Sequence, residues 1–151
     1  MPQIVTSLDI DAPPQVVWNA LVDQPRYDEW NRLFRILRGK LEKGSFILAK
    51  IDAEGIPFVF DARISRFEPE RCLAWKGPSV SFLHAIATGE HSFELIDLGG
   101  GRTRLVHSER FDGLLLSVEA LWSKLEPKLD KLYSGFNQTL KRRAESLANR
   151  S

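Results

Sequence analysis

The sequence predicts an α+β domain in which a seven-stranded antiparallel sheet wraps around a long C-terminal helix. An alternating strand opens the chain, apolar runs separated by turn signals fill its middle, and an apolar stripe with helical spacing ends it. A curved sheet with one apolar face and a helix with one apolar stripe bury each other when the sheet surrounds the helix. The expected order is one strand, two short helices, six strands and the long helix.

Prolines separate the first strand from the two short helices. Residues Ile4 to Asp11 have the period of two that is typical of a strand, which Pro13 and Pro14 end. A helix follows, because proline is tolerated in a first helical turn. Pro25 ends this helix, and a second short turn follows over Arg26 to Asn31. The apolar residues of the first helix are Val17, Trp18, Leu21 and Val22, and those of the second turn are Tyr27 and Trp30.

The middle of the chain predicts six consecutive antiparallel strands. Glycine and proline pairs punctuate runs rich in Phe, Val, Ile and Leu at regular intervals, which favours hairpins over strands separated by helices. The predicted strands are Leu33 to Arg38, Ser45 to Ala53, Pro57 to Phe67, Arg71 to Lys76, Phe82 to Asp97 and Arg102 to Asp112.

The residues after Gly113 predict one long amphipathic helix. Apolar side chains recur every three or four residues from Val118 to Leu147, with charged and amide side chains between them. Pro127 lies inside this pattern, so we expect a kink or a fresh helix start near Leu125 and Glu126.

Composition indicates a single domain over residues 1–151 and excludes several classes of function. With 43% hydrophobic and 27% charged residues, the chain can bury a sizeable core without a metal or a disulfide. The 21 basic and 20 acidic residues give a net charge of +1, so we expect no nucleic-acid partner. The single cysteine, Cys72, excludes an intramolecular disulfide. No apolar run is long enough for a membrane span and no signal peptide is visible, so we expect a cytoplasmic protein without stable membrane insertion.

Two segments resemble a known superfamily. They are IDAPPQVVWNALVDQPRYDEWN near the start and GEHSFELIDLGGGRTRLVHSERFDG before the last helix. The informative features are Ala12-Pro13-Pro14 followed by Val17-Trp18, the pair Trp30-Asn31, and the turn Gly101-Arg102-Thr103-Arg104. Together with the order of elements, they resemble the START-like, polyketide cyclase/dehydrase-type superfamily often labelled SRPBCC.

This resemblance covers almost the whole chain and implies a helix-grip fold. In that fold a seven-stranded sheet grips a long C-terminal helix and leaves an elongated cavity between them. Members include lipid and sterol carriers, plant hormone and allergen-type binders, polyketide aromatases or cyclases, quinone-binding accessory proteins and chaperone cofactors. The resemblance therefore implies a fold, and it leaves the function open.

The long fifth strand of the middle block has small residues at the centre of its apolar face. Ala85, Ala87 and Gly89 share that face with His91 and Phe93. Small side chains here either let the helix approach closely or leave volume for a ligand, and the sequence leaves both readings open.

The last hairpin brings polar side chains onto the same apolar face. If it turns at residues 98–102, Phe93 lies opposite His107 and His91 lies opposite Glu109. Burying an imidazole or a carboxylate without a partner costs several kcal/mol, so these groups need each other or water.

Four roles remain open for His91, His107 and Glu109. They can form a structural network, a polar anchor in an apolar pocket, or a general acid/base cluster for enolisation, dehydration or ring closure. A metal site is the fourth, but no local HxH or HExxH spacing supports it, and we expect no metal or other cofactor.

Three aromatic residues complete the candidate site. Trp30 and Tyr133 are expected to border an opening because each adds a polar tip to an apolar ring. Phe136, on the long helix, is expected to lie deep in the grip. The predicted ligand-binding residues are Trp30, Ala85, Ala87, His91, Phe93, His107, Glu109, Tyr133 and Phe136, and the catalytic residues, if the protein is an enzyme, are His91, His107 and Glu109.

These observations favour a protein that binds or transports a hydrophobic or amphipathic small molecule, such as a lipid, polyketide, quinone or aromatic metabolite. One alternative is a polyketide cyclase or dehydratase that uses the His/Glu cluster. Another is a protein-interaction module resembling the chaperone cofactors, which requires an exposed apolar patch. A monomer and a weak homodimer are both compatible with the sequence.

Overall fold

The described part of the chain forms seven strands and three helices in the predicted order. The structure is a computed structural model and describes residues 2–53, 55–78, 88–114 and 118–150. The strands are β1 (Gln3–Ile10), β2 (Phe34–Arg38), β3 (Phe46–Ala53), β4 (Ile56–Glu68), β5 (Cys72–Gly77), β6 (Thr88–Gly99) and β7 (Arg102–Asp112). The helices are α1 (Pro14–Val22), a 3₁₀ helix (Gln24–Glu29) and α2 (Glu119–Ala148).

One antiparallel sheet contains all seven strands, in the order β1-β7-β6-β5-β4-β3-β2. The consecutive strands from β2 to β7 pair with their neighbours in the chain, which confirms the predicted hairpins. β1 joins the sheet beside β7, with Thr6 opposite His107. Together with α2, this sheet confirms the predicted helix-grip fold.

The strand predicted over Phe82 to Asp97 is confirmed from residue 88 onward, and residues 82–87 lie outside the described residues. The described strand runs from Thr88 to Gly99. Ala85 and Ala87 lie outside the described residues. Gly89 pairs with Gly77 on one side and with Phe111 on the other, so it lies within the sheet.

The long helix is continuous, so the fresh helix start that was one of the two expectations near Leu125 and Glu126 does not occur. α2 runs from Glu119 to Ala148 with Pro127 inside it. Proline removes the hydrogen bond that its N–H would donate to the carbonyl four residues earlier, that of Ser123. Ser123 and Pro127 are both exposed, so water can satisfy that carbonyl and the helix continues.

Aromatic side chains from four elements form the core beneath α2. Phe34 is 2% exposed and its ring packs against Tyr27, Trp75, Phe93 and Phe136 at centroid distances of 5.3 to 6.1 Å. Leu140 and Ala144 continue the helix stripe and are fully buried. The inner face of the sheet and the helix therefore meet in one core, in which each buried aromatic ring contributes area and ring-to-ring contacts.

Neither α1 nor α2 has the length and apolar character required of a transmembrane helix, and the same is true of the remaining described residues.

The inner face of the sheet is not covered uniformly. Leu73, Phe93 and Leu105 at its centre are 0% exposed. Phe58 lies on the same face, because it pairs with Ile51 and stands at alternate positions from the buried Ala62, yet it is 59% exposed. The end of the sheet where β3 joins β4 therefore leaves apolar inner-face side chains uncovered.

Candidate functional site

The pairing of β6 with β7 brings the predicted polar residues together. His91 lies opposite Glu109 and Phe93 lies opposite His107, which is the predicted register. All four side chains point to the inner face, because they stand at alternate positions on strands whose inner residues are buried. His91 is 2% exposed and His107 is 0% exposed.

Helix α2 supplies the remaining polar groups. Tyr133 and Asn137 are four residues apart and therefore lie on one side of the helix. The Tyr133 hydroxyl donates to Glu109 Oε1, and Asn137 Oδ1 lies 2.7 Å from His107 Nδ1. Helix and sheet are thus joined by hydrogen bonds within an apolar core.

A backbone carbonyl fixes the direction of this hydrogen-bond chain. The carbonyl of His107 can only accept, so the Thr6 hydroxyl donates to it at 2.9 Å. The Thr6 oxygen then accepts from Asn137 Nδ2 at 2.8 Å. With its amide nitrogen committed, Asn137 presents its oxygen to His107, and Nδ1 of His107 must carry the proton.

The two imidazoles continue the chain towards the carboxylate. A neutral His107 with its proton on Nδ1 accepts at Nε2, so Nε2 of His91 donates to it. His91 Nδ1 is then left facing Glu109 Oε1 at 3.5 Å. A favourable contact between these two atoms needs one proton, carried either by His91 or by Glu109.

Burial determines the protonation of the groups at the core end. Desolvation, followed by the charge of His91, holds the pKa of His107 well below 6.5, although hydrogen bonds to Asn137 and the Tyr133 carbonyl oppose this shift. Burial also raises the pKa of Tyr133 well above 10, and the nearby Glu109 charge adds to the shift. His107 is therefore neutral and Tyr133 is a phenol that donates a hydrogen bond.

Glu109 is the partly exposed end of the chain. Its side chain is 16% exposed, against 2% for His91. A Cβ added at Gly89 would lie 3.0 Å from Glu109 Oε2, so the missing side chain at this position makes room for the carboxylate. At Gly89, where the sequence left close approach of the helix and volume for a ligand open, the missing side chain accommodates Glu109.

Aromatic rings enclose the two imidazoles. Trp75 stacks on His91 at 5.0 Å, and Phe93 and Tyr133 stack on His107 at 4.4 and 4.7 Å. The rings therefore occupy the space immediately beside the imidazoles. Tyr133 is 2% exposed, so it does not border an opening as predicted, because its hydroxyl is satisfied by Glu109 inside the fold.

The described residues form an open cleft on the other side of Phe136. This cleft has a volume of about 400 Å³ and lies between α2 and the start of β2. Phe136 lines it and also packs against His107 at 5.3 Å, so this ring separates the cleft from the polar chain. The residues that line the cleft are Arg32, Leu33, Asp52, Lys131, Leu132, Gly135, Phe136 and Thr139.

The structure thus divides the predicted site residues into two groups. His91, Phe93, His107, Glu109 and Tyr133 surround the polar chain. Phe136 contacts both regions. Trp30 is 9% exposed and packs on Phe136 at 5.7 Å.

Sequence reasoning did not include Thr6 and Asn137 in the polar chain. Asn137 occupies an inward position of the helix stripe between the buried Phe136 and Leu140. An amide at such a position, which is normally apolar, was the signal that could have identified it. Thr6 was visible only as an inner-face position of the first strand.

No group of three His, Cys, Asp or Glu side chains within the described residues is arranged to hold a metal ion.

The fold and the enclosed polar chain define a helix-grip protein. The family described as "Polyketide cyclase / dehydrase and lipid transport" matches residues 1–145, and the chain belongs to this family.

Similarity to individual proteins supports the same fold. Toxin Rv0910 of Mycobacterium tuberculosis is 28% identical over 113 residues, which cover 66% of this chain and 78% of that protein. The Zhui aromatase/cyclase from Streptomyces sp. R1128 superposes with a TM-score of 0.72 at 18% identity, covering 95% of this chain and 93% of its own. TTHA0849 from Thermus thermophilus gives a TM-score of 0.73 at 14% identity and covers 97% and 99% of the two chains.

The direction of the hydrogen-bond chain predicts the tautomers of both buried histidines. At neutral pH, His107 should carry its proton on Nδ1, and the proton that His91 shares with it should be on Nε2. Long-range ¹H–¹⁵N NMR correlations of the imidazole rings distinguish these forms. In Asn137→Leu the preference of His107 for the Nδ1 tautomer should weaken, because the Asn137 oxygen is gone and only the Tyr133 carbonyl remains as an acceptor. A wild-type His107 protonated on Nε2 would contradict the chain.

Burial of neutral His107 predicts a loss of stability in acid. In the unfolded chain this imidazole binds a proton near pH 6.5, whereas in the folded chain it does so only at lower pH. Between these values the unfolded state holds more protons, so the free energy of unfolding falls as the pH falls below 6.5, by up to about 1.4 kcal/mol per pH unit. Urea unfolding from pH 7.5 to 5.0 measures this slope. His107→Gln should reduce this slope by up to about 1.4 kcal/mol per pH unit, which is the contribution of one proton. An unchanged slope would count against the assignment.

Proposed function

We propose that this protein binds a hydrophobic or amphipathic small molecule between α2 and the uncovered end of the sheet. The observation that carries the proposal is that apolar inner-face side chains remain exposed beside the cleft. Phe58 is 59% exposed and Ile51 and Phe60 are only partly buried, although their neighbours on the same face are fully buried. Exposed apolar surface of this kind marks a place where another molecule supplies the cover.

The position and size of the cleft support this proposal. Leu33 and Asp52 line the cleft. Their neighbours in the chain, Phe34 and Ile51, pair with each other across β2 and β3. Ile51 pairs in turn with Phe58. The cleft therefore adjoins the uncovered apolar surface, and its volume of about 400 Å³ lies within the range of small-molecule sites.

The family supports the same class of ligand. Its description includes lipid transport. Glu109 and Tyr133 provide a polar anchor, and Glu109 is partly exposed. Hydrogen bonding by one or two such groups orients an otherwise apolar ligand.

A second function, acid–base catalysis on a polyketide-type substrate, is favoured by the chain from Glu109 through His91 to His107. The family description includes cyclase and dehydrase activity. Glu109 is the partly exposed member and would exchange the proton with the substrate, so it is the candidate catalytic residue. His91 and His107 are buried and would act as positioning residues that hold the proton between Glu109 and the core.

Filling the cleft should abolish ligand binding without unfolding the protein. Gly135 lines the cleft, is exposed, and has no atom within 4 Å of an added Cβ. Gly135→Trp should weaken binding of the neutral probe N-phenyl-1-naphthylamine at least tenfold. Because glycine costs about 1 kcal/mol in a helix interior, the variant should be no less stable than the wild type.

Two matched variants control this experiment. Gly135→Ala makes the same backbone change with little added bulk, and Gln138→Trp adds the same ring at an exposed position that does not line the cleft. Both should bind the probe as the wild type does. Equal binding by Gly135→Trp would overturn the proposed site, and native mass spectrometry of the purified protein provides an independent search for a retained ligand.

Glu109→Gln separates binding from catalysis. The amide keeps the shape of the carboxylate but cannot exchange the proton. An enzyme of this design should lose at least a hundredfold in turnover of an aromatic polyketide precursor while ligand affinity stays within about threefold. Rates of ring closure or dehydration, measured beside equilibrium binding, provide the test. Equal loss of both quantities would favour simple binding, in which Glu109 only anchors the ligand.

A further inference from the structure

We propose that the ligand is an amphiphile with a carboxylate head group and that Arg32 and Lys131 hold this group at the rim of the cleft. This inference rests on the proposed function and adds the chemical class of the ligand. The cleft has an apolar floor of Leu33, Leu132 and Phe136, and its charged residues are Arg32, Lys131 and Asp52. The apolar floor and the charged rim match the apolar tail and the charged head group of an amphiphilic acid.

The charge around the cleft is positive. An adjoining cleft of about 200 Å³ shares Arg32 and Asp52 with the first and adds Arg35 and Lys50. The two clefts together are lined by Arg32, Arg35, Lys50 and Lys131 and by one carboxylate, Asp52. The chain as a whole has a net charge of only +1, so this excess is local. A local excess of one sign attracts the opposite charge.

The carboxylate Asp52 and the cation Arg35 are already engaged. Asp52 accepts a hydrogen bond from the Gly55 N–H at 2.7 Å in the turn between β3 and β4. Arg35 forms an ion pair with Asp28. Within the described residues, no ion pair links Arg32 or Lys50 to a carboxylate. Arg32 therefore has its guanidinium available at the junction of the two clefts.

Buried donors without acceptors lie next to Arg32. Trp30 Nε1 and Asn31 Nδ2 are buried and have no hydrogen-bond partner among the residues that the structure describes. The Asn31 side chain is fixed, because its oxygen accepts from the backbone N–H groups of Leu33 and Phe34 at 3.1 Å each. Neither Trp30 nor Asn31 lines the clefts, so of residues 30 to 32 only Arg32 presents its donors there. A guanidinium has five N–H donors and no acceptor, which favours a ligand whose head group consists of acceptor oxygens.

A series of ligands with one chain length and different head groups tests the inference. Displacement of N-phenyl-1-naphthylamine by dodecanoate, dodecanol and dodecylammonium is measured below their micelle concentrations at pH 7.5. Dodecanoate should displace the probe at a concentration at least tenfold lower than dodecanol, and dodecylammonium should be weakest. The preference for the acid should shrink in 0.5 M NaCl, because salt screens charges at the rim.

Variants of the rim locate the recognition. Arg32→Gln and Lys131→Gln should each reduce the preference for the acid, and the double variant should bind dodecanoate and dodecanol equally. Arg38→Gln, a cation on β2 that does not line either cleft, should keep the wild-type preference. Arg32, Lys131 and Arg38 are all exposed, so these changes should leave stability nearly unchanged.

The outcomes distinguish failure of this inference from failure of the proposed function. Equal displacement by all three compounds in the wild type would leave the cleft as a binding site and overturn the preference for an acid. A preference that survives in the double variant would overturn the assignment to Arg32 and Lys131. If the neutral probe itself does not bind to the wild type, the proposed function fails first.

Discussion

The hydrogen bond between the His107 ring and Asn137 determines how α2 lies on the sheet. Both groups are almost completely buried, so each would lose its solvation without a matching partner. Apolar packing alone would tolerate a helix displaced along or around its axis, whereas this contact is satisfied in one position. From it follow the proximity of Tyr133 to Glu109 and the position of Phe136 against His107. A buried polar contact thus gives the core its specificity.

Most of the fold follows from periodicity, and so does part of the polar cluster. The period of two on β6 and β7, together with the turn at Gly99 to Gly101, was sufficient to place His91 opposite Glu109 and Phe93 opposite His107. Register is strongly specified there because a slip by one residue would expose every buried side chain of the strand. The helix does not start afresh at Pro127, because the exposed side of the helix lets water satisfy the carbonyl that proline leaves without a donor.

The contacts between helix and sheet could not be predicted in this way. Nothing in the sequence states how far α2 is rotated or shifted relative to β7, so the pairing of His107 with Asn137, rather than with another helix residue, is visible only in three dimensions. The cleft could not be predicted from the sequence for the same reason. Its walls come from Arg32 and Leu33, from Asp52, and from α2, segments whose proximity depends on the completed sheet. Residues that are apolar in the sequence, such as Phe58, can only be seen to be uncovered after the helix is placed.

The two sides of α2 differ in physical character, and this difference supports the proposed ligand site. On the side that faces β7, hydrogen bonds and stacked rings fill the space, and opening it would leave buried donors and acceptors without partners. Around the cleft, the lining side chains are mostly apolar or cationic, with Asp52 as a carboxylate among them. No buried hydrogen-bond chain joins α2 to β2 or β3 within the described residues. A ligand therefore displaces little protein structure at the cleft and much at the imidazoles. Phe136, which touches both regions, is the side chain whose movement would connect them.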